Sequence, residues 1–391
     1  MKKTILSLTV FFCLSLILIS NLINPIKIYA SSNIEKDYTA KALYLMDYNT
    51  NQVILENNAE SKIPVASIVK LMTICLTCQE LESGKLKLED KIIVSEKAAG
   101  MGGSQVFLEA NGEYSINDLL KSTIISSAND ASVALAEKIA GSEDNFVILM
   151  NKKARELGMQ NTNYVNCTGL PASNQFSCAK DTAILLKEVL NHDDYHKFST
   201  IWMDTLTHNK GRESELVNTN KLIRYYEGCD GGKTGSTNEA GYCLAATAKR
   251  GNMRLIAVVL GSQNGKLRFA ETSKLLNYGF NNYENKLLLS KEKVLEESIN
   301  ITGGNKNSIK VKPKEDLFAL INKSEKLDNY KLERKINKNI KAPVKYGDKV
   351  GIIYLIKDGK VISNTDLISV SNVSKSTIYN NIEKTIKNWQ I

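Results

Sequence analysis

Histidine is scarce in this chain: only His192, His196 and His208 occur among 391 residues. No Gly-x-Ser-x-Gly elbow surrounds any serine, which argues against a Ser-His-Asp hydrolase. His192 and His196 have the i, i+4 spacing that can hold a metal on a helix face. The segment lacks the glutamate of a His-Glu-x-x-His pattern and has no evident third ligand. Capping or surface roles are therefore expected, with neither metal nor cofactor. Arginine clusters with interleaved aromatics are absent, as are tandem repeats and low-complexity tracts. The 51 basic residues exceed the 42 acidic ones by nine, almost all of the excess being lysine. Such a spread argues against nucleic acid as a partner and for long-range attraction to anionic surfaces.

Cysteine is present but patternless. Cys13 lies in the N-terminal apolar run, leaving Cys75, Cys78, Cys167, Cys178, Cys229 and Cys243. Their spacings match no zinc motif. Cys75 and Cys78 sit three apart in an apolar helical stretch and are expected to pack as small hydrophobes. Cys229 and Cys243 flank a hairpin and would face each other if they paired.

Lys2 and Lys3 precede an apolar run over residues 5–23, and Ala30 stands before Ser31-Ser32. This is the layout of a secretory signal peptide spanning residues 1–30. The run approaches the length of a membrane span, so an uncleaved anchor is the alternative to cleavage after Ala30. The chain's length suggests two domains, and 43% hydrophobic residues suffice for a sizeable core. Residues 42–54 read as two strands around Asn49-Thr50-Asn51. Helical periodicity follows over 67–81, 116–125, 130–139, 144–157 and 181–190, and strand patterns over 241–248 and 253–261. Strands at both ends with helices between imply an α/β domain, 38–287, whose sheet joins distant parts of the chain. Beyond residue 288 apolar and charged residues alternate, and Asp358-Gly359 suits a hairpin turn, so 288–373 reads as a small β-rich domain. In the tail, 374–391, Ile378, Ile382, Ile386 and Trp389 share a helical face, which either lies on a membrane surface or packs on its own domain.

Three short motifs carry chemistry. In Ser67-Ile-Val-Lys70 the i, i+3 spacing puts a hydroxyl and an amine on one face of a helix start. A lysine can serve as the base for a serine nucleophile when burial and a neighbouring cation lower its pKa. Ser127-Ala-Asn129 lies at a turn between two helical patterns, where its side chains either project into a cleft or cap the following helix. Lys233-Thr234-Gly235-Ser236 precedes a strand, and its glycines suit an edge that a ligand approaches closely. A lysine and a hydroxyl there fit capture of a carboxylate. Each motif is weak alone. Their order, 60 and then 106 residues apart, forms the Ser-x-x-Lys, Ser-x-Asn, Lys-Thr-Gly signature of penicillin-binding enzymes and class A β-lactamases.

With these motifs in place, the chain resembles the low-molecular-mass penicillin-binding D-alanyl-D-alanine carboxypeptidases from about Ala40 to the tail. Similar wording includes Asp47-Tyr-Asn-Thr-Asn, Pro64-Val-Ala-Ser-Ile-Val-Lys, Leu157-Gly-Met and Thr168-Gly-Leu. Alanine at Ala128 and serine at Ser236 depart from common family usage. The resemblance implies an α/β (α+β) penicillin-binding, β-lactamase-like transpeptidase domain, with an antiparallel sheet flanked by helices and a small all-β domain. It implies catalytic roles for Ser67, Lys70 and Ser127, and substrate binding by Asn129, Lys233, Thr234, Gly235 and Ser236. The implied partners are peptidoglycan stem peptides ending in D-Ala-D-Ala, with β-lactam antibiotics as covalent inhibitors, at the extracytoplasmic face of the membrane or in the cell wall. Two rivals remain. A class A-like β-lactamase would need a deacylating glutamate; Glu188 and Asn191 come one residue short of its Glu-x-x-x-Asn spacing. A non-catalytic wall-binding scaffold would keep the fold without the chemistry.

Overall fold

The alternation over residues 42–54 forms strands β1 (Ala42–Asp47) and β2 (Val53–Asn57), an antiparallel pair. In the computed structural model, which describes residues 38–337, 339–378 and 382, the chain falls into two compact units that divide between Asn282 and Tyr283. The signal region and most of the tail lie outside the described residues.

In the first unit β1 also pairs with a strand more than two hundred residues later. Strands β3 (Cys229–Thr237), β4 (Gly241–Arg250) and β5 (Met253–Ser262) complete a five-stranded antiparallel sheet ordered β2-β1-β5-β4-β3. The Ala42↔Leu260 to Asp47↔Leu255 register joins the two ends of the unit. The middle of β5, residues 255–260, is completely buried, as expected of a strand covered on both faces.

Helix α1 (Lys70–Glu82) follows a single 3₁₀ turn, Ala66–Val69. Leu71, Met72, Ile74, Cys75 and Cys78 are all fully buried, so α1 is apolar around its circumference and runs through the core. Its buried hydroxyls are satisfied locally. Thr73 Oγ1 donates to the Cys167 carbonyl at 2.8 Å and Thr77 Oγ1 to the Thr73 carbonyl at 2.8 Å. Helices α2 (Ile116–Ile125), α3 (Asn129–Ala140), α4 (Glu143–Glu156) and α5 (Ala179–Val189) follow, and α6 (Gly265–Asn282) closes the unit. Capping chemistry sets several starts: Ser115 caps α2, Ser142 caps α4 and Cys178 caps α5.

The cysteines pack as hydrophobes. All six are buried and free. Cys229 pairs with Ala248 and Cys243 with Gly235, so the two lie well apart along the β3–β4 ladder and do not face each other.

The second unit begins with β6 (Tyr283–Leu289), which pairs with a later strand, Leu317–Asn322. The boundary expected between 287 and 288 therefore falls inside a strand. A four-stranded antiparallel sheet includes Lys349–Lys357 and Lys360–Ser369. The turn between them places Asp358 at φ 48° and Gly359 at φ 76°, the two positive φ values that an Asp-Gly hairpin requires. Val311, Leu317, Ile353, Leu355 and Leu367 are among the residues of its own small core.

Candidate active site

The Ser67–Lys70 turn is held in a conformation that its sequence alone would not favour. Ala66, just before the serine, sits at φ 49°, a region that residues with a Cβ rarely enter. Two glycines allow the surrounding backbone to close on it. A Cβ on Gly169, itself at φ 84°, would lie 2.1 Å from the Ala66 carbonyl oxygen. A Cβ on Gly235 would lie 2.6 Å from the Val65 carbonyl oxygen and 3.0 Å from the Ser67 nitrogen. The edge strand β3 thus runs directly against the serine's backbone, and only glycine fits. Gly235→Ala is expected to push β3 away from the serine. Penicillin acylation should slow by about 10²-fold, the usual effect of a misplacement near 1 Å, and stopped-flow acylation rates check it.

Lys70 is completely buried at the start of α1. Its Nζ donates to Ser67 Oγ at 3.0 Å and to the Thr168 carbonyl at 2.6 Å. That carbonyl is aimed by an Asx turn in which Asn166 Oδ1 accepts from the Thr168 nitrogen at 3.2 Å, and it accepts from the Gly169 nitrogen at 2.7 Å as well. Burial lowers the Lys70 amine from the ordinary 10.5 to about 7, against an opposing pull from Asp130. Lys233 on β3 is 1% exposed and lies well below the usual lysine range. Burial is again the largest cause, followed by the charges of Lys70 and Arg268. Of the two causes expected to lower the Lys70 pKa, burial is the one that acts at Lys70, and the repulsion between the two lysines shows in Lys233.

A buried lysine of this kind costs stability. In the unfolded chain the amine keeps its proton up to 10.5, and in the folded chain only up to about 7. Between those values the unfolded state binds more protons, so this group's contribution to stability rises with pH and its cost is fully present below 7. That cost is on the order of 5 kcal/mol at about 1.4 kcal/mol per pKa unit. Lys70→Met removes it but leaves the Thr168 carbonyl unpaired, at about 2 kcal/mol. A net gain of about 3 kcal/mol is expected near pH 6, shrinking toward pH 10, as urea unfolding would measure.

Ser127 and Asn129 do not act as caps. The N-cap of α3 is Ala128, which makes no side-chain capping bond. Ser127 sits at φ 60°, and its Oγ is buried without a hydrogen-bond partner among the described residues. Asn129 Nδ2 donates to the Gly102 carbonyl at 2.6 Å while its Oδ1 is buried and unpartnered. Buried polar atoms left this way are available to a ligand. Asp130 braces the loop opposite, accepting from the nitrogens of Val106 and Leu108 at 3.1 Å each. Thr234 Oγ1 donates to Thr219 Oγ1 at 2.8 Å, and Ser236 is exposed at the open end of β3. Arg268 on α6 donates to the Gly235 carbonyl at 3.2 Å.

Sequence reasoning missed Thr168, Thr219 and Arg268. Thr168-Gly-Leu carried a family likeness but no role, because a backbone carbonyl leaves no mark in residue type. Arg268 left no signal at all. Glu188, the nearest match to a deacylating glutamate, is held by Lys153 Nζ at 2.7 Å.

An antiparallel sheet with a helix-borne serine and lysine, faced by a Lys-Thr-Gly strand, defines an active-site-serine enzyme of the penicillin-binding class. Residues 29–264 match the peptidase S11 family, D-alanyl-D-alanine carboxypeptidase, and residues 283–375 match the penicillin-binding protein 5 C-terminal domain. The chain is 40% identical over 355 residues to D-alanyl-D-alanine carboxypeptidase DacF of Bacillus subtilis, covering 91% of each chain. It is 36% identical over 351 residues to DacC of Escherichia coli, covering 88% of this chain and 86% of that one. Among solved structures, penicillin binding protein 5 from Haemophilus influenzae superposes with a TM-score of 0.71 at 34% identity, over 86% of this chain and 98% of that chain. The chain belongs to the D-alanyl-D-alanine carboxypeptidase family, with the enzyme class of a serine-type carboxypeptidase.

Proposed function

We propose that this chain removes the terminal D-alanine from peptidoglycan pentapeptides through an acyl-enzyme on Ser67, and that β-lactams acylate the same serine. The observation that carries the reading is the 3.0 Å contact between Ser67 Oγ and a fully buried lysine amine whose pKa burial brings to about 7. Neutral Lys70 takes the hydroxyl proton as Oγ attacks the carbonyl of the penultimate D-alanine. The backbone nitrogens of Ser67 and Ser236 receive the developing oxyanion, donors of a type worth about 3 kcal/mol each. As the C–N bond breaks, Ser127 relays to the leaving amine the proton that Lys70 took from Ser67, and water then hydrolyses the ester. Asn129 orients the substrate amide.

Lys233, Thr234 and Gly235 receive the substrate's terminal carboxylate, which accounts for cutting at a free C-terminus. The carboxylate also settles the competition between the two lysines. Two ammonium groups in one buried site repel, so an arriving anion favours the proton on Lys233 and leaves Lys70 neutral. Binding of the correct substrate end thus arms the base.

Mass spectrometry of the products from a disaccharide-pentapeptide tests this reading. Loss of a single D-alanine supports it; an unchanged substrate, or opening of a cross-link alone in a dimeric muropeptide, overturns it. Export to the extracytoplasmic side rests on the signal-peptide layout of residues 1–30. Contact of the tail with membrane rests on the helical spacing of Ile378, Ile382, Ile386 and Trp389. Among the described residues no helix is long and apolar enough to cross a membrane.

A further inference from the structure

Helix α1 bears Lys70 at its N-terminal end and a second group of reactive side chains further along. The Cys75 Sγ, a Glu188 carboxylate oxygen and a His192 ring nitrogen lie within 4.8 Å of one another. Cys75 comes from the middle of α1, Glu188 from the last turn of α5, and His192 from just beyond that turn. Cys75 is fully buried and His192 is 4% exposed. His192 Nδ1 is 2.7 Å from Glu82 Oε1, at the end of α1. A carboxylate only accepts, so Nδ1 carries the ring proton and Nε2 keeps its lone pair. That Nε2 is buried and has no hydrogen-bond partner among the described residues. An imidazole oriented by a carboxylate, with its other nitrogen bare, is the arrangement that presents histidine to a metal.

We propose that Cys75, Glu188 and His192 form a binding site for a zinc-class divalent cation, separate from the Ser67 site. One thiolate, one imidazole and one carboxylate suit a borderline-soft ion with tetrahedral coordination, water taking the fourth position. Ligand bonds of about 2.0–2.3 Å require the three atoms to draw in by less than about 1.5 Å. The charges also balance. Zinc with a thiolate and a carboxylate is neutral, and the other charged groups at the cluster, Glu82 beside His192 and Lys153 at 2.7 Å from Glu188, offset each other. Binding forms a metal–sulfur bond and releases the thiol proton to solvent. His196 takes no part, because its Nε2 bonds the Leu190 carbonyl at 2.9 Å. A bound ion would pin the α5 turn to α1, the helix that positions Lys70.

The test is calorimetric titration of chelator-treated full-length protein with zinc chloride, paired with cobalt(II) absorption. One ion per chain, a raised melting midpoint and a near-ultraviolet thiolate-to-cobalt band are expected. His192→Ala and the milder Glu188→Gln should each weaken zinc binding by at least about 10-fold, and Cys75→Ala should abolish the thiolate band. Penicillin acylation of Ser67 serves as the folding control for every variant. No zinc uptake by the unaltered protein, or unchanged affinity in acylation-competent His192→Ala and Glu188→Gln, overturns the site. Either result leaves the carboxypeptidase reading untouched, since that reading stands on Ser67.

Discussion

Ser67→Ala is expected to abolish covalent labelling by penicillin and to reduce D-alanine release from a pentapeptide by on the order of 10⁴-fold or more. The size follows from the division of labour at the site. In the proposed mechanism Lys70, Ser127 and Lys233 handle protons and charge, and among the described residues Ser67 Oγ is the one hydroxyl hydrogen-bonded to Lys70 Nζ. The Thr168 carbonyl, its second partner, is not nucleophilic. Binding of the substrate carboxylate should survive, because Lys233 and Thr234 belong to β3 and not to the serine turn. The variant should therefore still bind an unreactive D-Ala-D-Ala peptide with nearly unchanged affinity. Fluorescent penicillin labelling and equilibrium peptide binding, measured on one preparation, separate the two effects.

Lys70→Arg is expected to lower acylation by on the order of 10³-fold, with no recovery at any accessible pH. Arginine keeps the positive charge and a donor toward Ser67 but stays protonated, so it cannot accept the hydroxyl proton. In the unaltered enzyme the rate of acylation should climb as pH rises through about 7, where the buried Lys70 amine loses its proton. An exposed lysine would place that rise more than three units higher. Lys233, whose pKa burial and the neighbouring charge of Lys70 also lower, attracts a carboxylate only while protonated, so its titration should appear in KM rather than kcat. A pH-independent acylation rate between 6 and 8 would contradict the assignment of Lys70 as base.

The architecture was legible where periodicity and turn chemistry agree. The helix over 116–125 and the Asp358-Gly359 hairpin appear as read, because amphipathic spacing and positive-φ residues are local properties. The ordered motifs also located the residues that converge: Ser67 with Lys70, and Lys233 close enough for the charge of Lys70 to act on it. What escaped is non-local. The Thr168 carbonyl that holds Lys70 is backbone, and the close approach of Gly235 to Ser67 joins segments far apart in sequence. His192 was read with His196 because helical spacing is visible in a sequence. Its neighbours Cys75 and Glu188 come from other helices, and spacing says nothing about them. The unit boundary was misplaced because β6 finds its partner strand only after residue 316.

Peptide mapping of the penicillin adduct tests the central claim most directly. After brief exposure of the full chain to penicillin and proteolysis, the added mass should sit on the peptide containing Ser67, at one equivalent per chain, and hydroxylamine should remove it as it does an ester. An adduct on any other residue, or release of D-alanine by a chain whose Ser67 stays unmodified at saturating penicillin, would contradict the account.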